Sequence, residues 1–298
     1  MLVTTYISLV VTMLFWGGTF VAGRALAGSV VPVNAAFLRF AIATVALALL
    51  TRTIEGKISP PPRKHLVSLL LLGMTGVFGY NMFFFTGLQY IEAGRASLII
   101  ALNPLAITVA AVLFLGEKLT IKQFGGLFIS LIGAIFVISN GHPEIILSGG
   151  FGLGETLILG CVGSWAAYSL IGRSILQSIS PLVAVFYSSL VGTILLFFVT
   201  IAKGSTSAIL GYTMDDWLSL SFLGLLGTAV GFSLYYKAIK KIGAARSSVF
   251  INLVPLFSIL LSWPILGESM KPSVLSGGLI LMTGVYLTNS LPREKKTS

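Results

Sequence analysis

The chain has 298 residues, of which 56% are hydrophobic and 9% charged. A water-soluble domain carries about 25% charged residues, so this sequence cannot coat the surface of a soluble enzyme, and its apolar excess excludes a disordered chain. The formal net charge of +10 would suggest a nucleic-acid partner in a soluble protein, whereas in a membrane protein it reads as an orientation signal.

A bilayer-spanning helix needs about 20 mostly apolar residues, and ten such spans are predicted. Span 1, 6–26, holds Trp16 and ends in Arg24 and Ala25-Leu26-Ala27. That triplet resembles a signal-peptide cleavage site, but no Lys or Arg precedes the long apolar run, so a retained helix is expected. Span 2, 33–52, holds Arg39 about two turns inside. Its long stem should snorkel to the outer interface, with an anion site as the alternative. Span 3, 66–89, carries Tyr80 and Asn81, and span 4, 94–115, carries Arg95, Asn103 and Pro104 and runs into Gly116-Glu117. Span 5 is 121–140. Span 6, 152–172, has Glu155 in its first turn, then Trp165 and Tyr168, with Arg173 just beyond. Span 7 is 181–202, and span 8, 216–237, contains Tyr235. Span 9, 244–266, contains Arg246, Asn252 and Pro255 and runs into Gly267-Glu268; span 10 is 272–291. The longest gaps, 53–65 and 203–215, leave no room for an extramembrane domain.

With ten spans both termini share one side. Of the 19 Lys and Arg residues, 14 fall on that side, 4 on the other, and Arg39 within a span. The bias predicts cytoplasmic termini in a multi-pass protein of the cell (inner) membrane. Cys161 is the single cysteine, and His65 and His142 lack ligand spacing. No disulfide, metal or other cofactor is expected.

The two halves repeat. At an offset of 149, Trp16, Gly23, Arg24 and Pro32 meet Trp165, Gly172, Arg173 and Pro181. At 151, Gly73, Gly76, Arg95, Pro104, Leu105, Glu117, Gly126 and Gly133 meet Gly224, Gly227, Arg246, Pro255, Leu256, Glu268, Gly277 and Gly284. Five spans is an odd number, so the second copy enters the membrane from the opposite side. The expected fold is all-α: ten transmembrane helices as two inverted five-helix repeats, residues 1–142 and 150–298. Secondary transporters recurrently use this architecture, with the substrate near the midplane between the repeats.

Phe15-Trp16-Gly17 with Arg24, Pro104-Leu105, Leu115-Gly116-Glu117 and Gly126/Gly133, echoed by Trp165, Pro255-Leu256, Leu266-Gly267-Glu268 and Gly277/Gly284, resemble the drug/metabolite transporter superfamily, specifically its ten-helix EamA-type branch. The resemblance covers essentially the whole chain. It implies transport of small organic metabolites, with export of amino acids and related solutes favoured.

The residues suggest where such work would be done. Trp16, Tyr80, Asn81, Asn103, Trp165, Tyr168, Tyr235 and Asn252 offer rings and amides at mid-depth for a neutral or zwitterionic solute. Pro104 and Pro255 should kink their helices and serve as hinges. Gly116 and Gly267 suit C-terminal caps, and Glu117 and Glu268 would then favour the start of the following helix. Alternatively, Glu117 with Arg173 or Arg246, and Glu268 with Arg24 or Arg95, would form gate ion pairs. Glu155 is the acid that enters a span, making it the candidate for proton coupling. A deep carboxylate for cation exchange is otherwise absent. The expected partners are a small-molecule substrate and the lipid bilayer, without nucleic acid. One chain suffices, although an oligomer is not excluded. A membrane-embedded enzyme lacks its nucleophile–base or ligand set. A scaffold without transport, or a carrier of sugars or nucleotide derivatives, is the alternative.

Overall fold

The computed structural model of the protein describes residues 2–58, 60–61, 63–115, 121–139, 141–142, 144, 152–175, 178–242 and 249–289. Among them every regular element is helical, as lipid requires: without water, each segment must satisfy its own backbone N–H and C=O groups. In the first half, α1 is Leu2–Ala25 and α2 is Pro32–Glu55. α3 joins Leu66–Leu72, a π-helical segment Gly73–Gly79, and Tyr80–Gly87; α4 joins Ala93–Ile100 to Asn103–Leu115; α5 is Ile121–Ile138. In the second half, α6 is Leu153–Ile175 and α7 is Pro181–Ala202. α8 joins Met214–Ser221, a π-helical segment Phe222–Val230, and Gly231–Ile242; α9 joins a 3-10 turn, Val249–Asn252, to Leu253–Leu266; α10 is Pro272–Asn289.

Among the described residues, six helical stretches are long and apolar enough to cross a membrane: Val3–Gly28, Pro32–Glu55, Arg63–Gly87, Ala93–Ala110, Pro181–Ala202 and Met214–Tyr235. Phe124–Val137, Phe250–Leu266 and Pro272–Leu287 are shorter apolar helices. Leu49, Phe128, Phe198 and Leu279 stand exposed along these elements, a surface suited to hydrocarbon. The protein is an all-α integral membrane protein, its ten helices forming two inverted five-helix repeats.

Local chemistry sets the helix ends. Pro32 and Pro181 occupy the first turns of α2 and α7, where a missing N–H costs nothing. Gly267 closes α9 at φ +69°, the left-handed geometry expected of a C-terminal cap. The prolines at the middle of α4 and α9 act differently from a simple kink. α4 is interrupted at residues 101–102, and Pro104 stands in the first turn of the piece that follows. Pro255 likewise falls in the first turn of Leu253–Leu266. A proline is tolerated in a first turn, so before the ring α4 breaks and α9 changes from a 3-10 turn to α-helix, in place of a bend around it.

Repeat-related residues meet repeatedly. Thr44 in α2 and Thr193 in α7, 149 positions apart, share a hydrogen bond of 3.0 Å. Where α5 crosses α10, Gly133 abuts Leu281 and Gly277, while Gly284 abuts Ser130 and Gly126; each contact is the other shifted by 151. Gly73 meets Val191 and the carbonyl of Ser188, and Gly224 meets Ile42 and the carbonyl of Arg39. Gly76 faces Tyr168 as Gly227 faces Thr19. Both π-helical segments also fall at repeat-related positions. Two copies with one packing scheme thus bury each other's glycines across a pseudo-two-fold axis. Small residues permit this approach where lipid supplies no hydrophobic drive for association.

Gly133→Val would force a side chain into the α10 backbone and should destabilise the protein by about 1–3 kcal/mol. Gly28→Ala, which opens onto free space, should change stability by no more than about 0.5 kcal/mol. Thermal unfolding of both variants in detergent checks the contrast.

Candidate functional site

The two halves enclose a cavity of about 70 Å³, lined by Trp16, Thr19 and Phe20 of α1, Arg39 and Phe40 of α2, Gly76, Tyr80, Asn81 and Phe84 of α3, Ile100 and Asn103 of α4, Trp165 of α6, Phe232 of α8, and Ile251 and Val254 of α9. Trp16 is fixed by its indole Nε1, which donates to the carbonyl of Gly227 at 3.0 Å. Its ring lies 5.5 Å from Phe232 and 5.1 Å from Tyr235. Trp165 lies 5.6 Å from Tyr80, 5.2 Å from Tyr168 and 6.0 Å from Phe232. Phe232 therefore bridges the repeat-related tryptophans. These separations suit tilted aromatic packing, and the rings form a continuous wall.

Arg39 overturns the expectation of snorkelling. It is only 6% exposed and turns into the bundle, away from the interface. Its Nε donates to Thr228 Oγ1 at 3.1 Å and its Nη1 to Asn81 Oδ1 at 3.1 Å. Asn81 Nδ2 donates to the carbonyl of Val77 at 2.7 Å, and Thr228 Oγ1 to that of Leu223 at 2.8 Å. Both carbonyls lie in the π-helical segments, whose widened turns release backbone acceptors. Phe40 and Phe84 offer ring faces 5.4 and 5.9 Å from the guanidinium carbon. The physical reason for the correction is that partners on α3 and α8 meet the cation within the bundle.

Of the other residues singled out, Trp16, Tyr80, Asn81, Asn103 and Trp165 line the cavity. Tyr168 and Tyr235 stand behind the tryptophans. Asn252 adjoins the lining residue Ile251, and its buried side-chain carbonyl, like that of Asn103, has no hydrogen-bond partner among the described residues. Thr19, Phe84, Thr228 and Phe232 escaped the sequence reading, because nothing in sequence separates them from ordinary core. Arg39 carried a usable signal: a deep cation with no acid on its own span.

The charged residues cluster at the end of the bundle where α1 meets α2 and α9 meets α10. Arg24 Nε and Glu268 Oε1 are 3.6 Å apart, and Arg95 Nη1 and Glu155 Oε1 are 2.6 Å apart. Arg95 thus pairs with Glu155 rather than with Glu268, and also donates to the carbonyl of Val137 at 3.1 Å. Glu268 does not open the following helix, since α10 begins at Pro272. Its carboxylate instead accepts the backbone N–H of Ala93 at 3.0 and 3.2 Å, capping α4. The carboxylate thus meets the positive end of a helix, but of α4, brought close by tertiary packing, and not of α10. Burial raises the Glu268 carboxyl above the usual carboxylate range, opposed by the N–H groups of Ala93 and Gly94 and by Arg24, and reinforced by Glu92. Glu117 and Arg246 lie outside the described residues, as does the side chain of Arg173.

The two halves are not packed identically. Gly17 of α1 is pressed against Phe257 and Ser258 of α9. The repeat-related residues Ala166 of α6 and Ala106 of α4 instead face an apolar groove of about 770 Å³ between α4, α5 and α6. One helix pair is closed and its counterpart is splayed.

The model of the EamA-like transporter family matches the chain twice, over residues 3–139 and 152–290. The uncharacterized transporter YyaM of Bacillus subtilis (strain 168) is 29% identical over 98% of this chain and 95% of its own. A probable terminal-alkyne amino-acid exporter of Streptantibioticus cattleyicolor is 28% identical over 98% and 96%. An uncharacterized transporter of Archaeoglobus fulgidus is 29% identical over 95% and 97%. A crystal structure with 20% sequence identity shares the fold, at a TM-score of 0.63 over 95% of this chain and 96% of that one.

In this arrangement burial raises the proton affinity of Glu268, so any opening of this end that exposed the carboxyl would release a proton. Low pH should therefore favour the closed end, and closure should weaken as pH rises through the raised pKa. The check is labelling of a cysteine placed at Ala93, Cys161 being buried. Labelling should slow on acidification, relative to the same protein carrying Glu268→Gln. Separately, Arg95→Ala leaves Glu155 buried without its partner and should cost about 3–5 kcal/mol in thermal unfolding.

Proposed function

The chain belongs to the EamA-like transporter family, within the drug/metabolite transporter superfamily, and from that premise we propose that it is a secondary transporter exporting amino acids or related small organic solutes across the cell membrane. The observation that carries the reading is the cavity between the repeats, walled by Trp16, Trp165, Phe232 and Tyr80 and supplied with the amides of Asn81 and Asn103. Rings bed an apolar body, and amides orient a polar head. The similarity to a probable amino-acid exporter supports the same solute class.

The mechanism is alternating access between inverted repeats, residues 1–142 and 150–298. Its support is the contrast between the α1–α9 contact and the splayed α4–α6 pair. Exchanging these arrangements between repeats, with Pro104 and Pro255 beside the interruptions serving as hinges, would open the opposite side. The Lys and Arg bias supports a cytoplasmic location for the splayed side and both termini. The end closed by Arg24–Glu268 and Arg95–Glu155 then faces outward, with those pairs as its gate. Their counterparts on the inner side would draw on Glu117, Arg173 and Arg246. Glu155, held by Arg95, becomes available as a proton carrier when that end opens. At about 70 Å³ the cavity is well below the several hundred Å³ usual for an occupied ligand site, so the walls part when a solute enters. One chain contains both repeats, and no cofactor is required.

The test is solute flux by the purified full chain in proteoliposomes, across a metabolite panel with and without a pH gradient. Saturable flux of amino-acid-like solutes is expected. Trp16→Ala and Trp165→Ala should each weaken it by about 3- to 10-fold, the worth of one aromatic contact. Absence of flux for every solute would favour a scaffold, and selective sugar flux would reassign the substrate class.

A further inference from the structure

We propose that Arg39 is the anion-binding pole of the transport cavity, and that the solute carries a carboxylate at one end and an apolar or aromatic body at the other. The inference rests on the transporter reading and specifies its substrate.

Charge comes first. Two of the five N–H donors of a guanidinium are used, by Thr228 and Asn81. The remaining three have no partner among the described residues, and none of the carboxylates there pairs with Arg39. An unneutralised cation inside a membrane bundle is costly and, by default, functional. A planar fork with free donors suits a carboxylate bound by two parallel hydrogen bonds.

The repeat supplies an independent argument. Gly73 packs on the carbonyl of Ser188 just as Gly224 packs on that of Arg39, which makes Ser188 the counterpart of Arg39. Ser188 is 1% exposed, so the scaffold closes over a small neutral side chain at this position. Packing therefore does not require an arginine. The substitutions around it run in the same direction. At the offset of 151, Asn81 becomes Phe232, Val77 stands where Thr228 is, and Asn103 becomes Val254. Symmetry of backbone thus carries an asymmetry of chemistry: Arg39, Asn81 and Asn103 line the cavity, and the apolar counterparts of the two asparagines, Phe232 and Val254, line it as well. A cavity built this way matches an amphiphilic acid. The unpaired carbonyl of Asn103 would accept an N–H or O–H from the same solute.

A carboxylate of this kind could belong to a simple organic acid or to an amino acid, and the experiment separates the two. The purified full chain is tested for binding by tryptophan fluorescence and thermal shift, and for flux in proteoliposomes. The probes are matched sets on methyl, isobutyl, phenyl and indolyl bodies: the simple acid, the amino acid and the amino-acid amide. Acids or amino acids should bind and the amides should not. Tighter binding by the amino acid assigns the zwitterion, and tighter binding by the simple acid assigns the anion. Arg39→Gln should weaken binding about 10- to 100-fold, the worth of a charge-assisted hydrogen bond, with Arg39→Lys intermediate. If Arg39→Gln does not accumulate as folded protein, the acid-against-amide comparison on the unaltered chain decides. Equal binding of amides, or undiminished binding by Arg39→Gln, overturns the proposal. Flux of neutral solutes with no response to any carboxylate overturns it while leaving transport intact. Carboxylate binding without flux keeps the anion site and removes the transporter reading instead.

Discussion

Close approach of helix backbones through small residues is the interaction on which this structure depends. In lipid, apolar side chains gain nothing by leaving the solvent, so helices associate through van der Waals fit and polar contacts. The α5–α10 crossing is built on Gly126, Gly133, Gly277 and Gly284. The glycines of the two π-helical segments let α3 and α8 press against α7 and α6, and against α2 and α1. Because each contact occurs in two related forms, the molecule holds a pseudo-two-fold axis. The cavity lies between the two copies, bordered by Gly76 of the first π-helical segment, by Phe232 just beyond the second, and by Asn103 beside the interruption in α4.

Symmetric backbones do not enforce symmetric function. Trp16 and Trp165 face the same cavity, yet the first bonds to a carbonyl of the facing π-helical segment while the second lies among Tyr80, Tyr168 and Phe232. The α1–α9 pair is closed and the α4–α6 pair is splayed. The ion pairs Arg24–Glu268 and Arg95–Glu155 hold one end together. Because the two halves share one packing scheme, the alternating access proposed above would exchange these arrangements between them. The Arg39 side chain is where the chemistry of the halves diverges most.

Much of this was legible in the chain. Ten apolar runs gave the helices because length and hydrophobicity are local properties, and Pro181 and Ala202 end a helix where composition says they should. Trp16, Tyr80, Asn81, Asn103 and Trp165 were readable as cavity candidates, since rings and amides at mid-depth need a reason to be there. The π-helical segments were not legible: a widened turn depends on what presses against it, and the glycines that allow it look the same as packing glycines. Thr228 and Phe232 were hidden for the same reason. The partner of Glu155 was hidden because α4 and α6 are distant in sequence.

The sequence by itself determined a membrane-spanning helical bundle, its internal duplication and its charge bias, because each follows from composition and periodicity along one chain. Tertiary structure decided which of the sparse charges meet. Arg39 turns inward because Asn81 and Thr228 wait there on neighbouring helices, and Glu268 caps α4 rather than α10 because folding brings Ala93 within hydrogen-bonding reach. Such pairings fall off with distance in three dimensions, and separation along the chain carries little information about that distance.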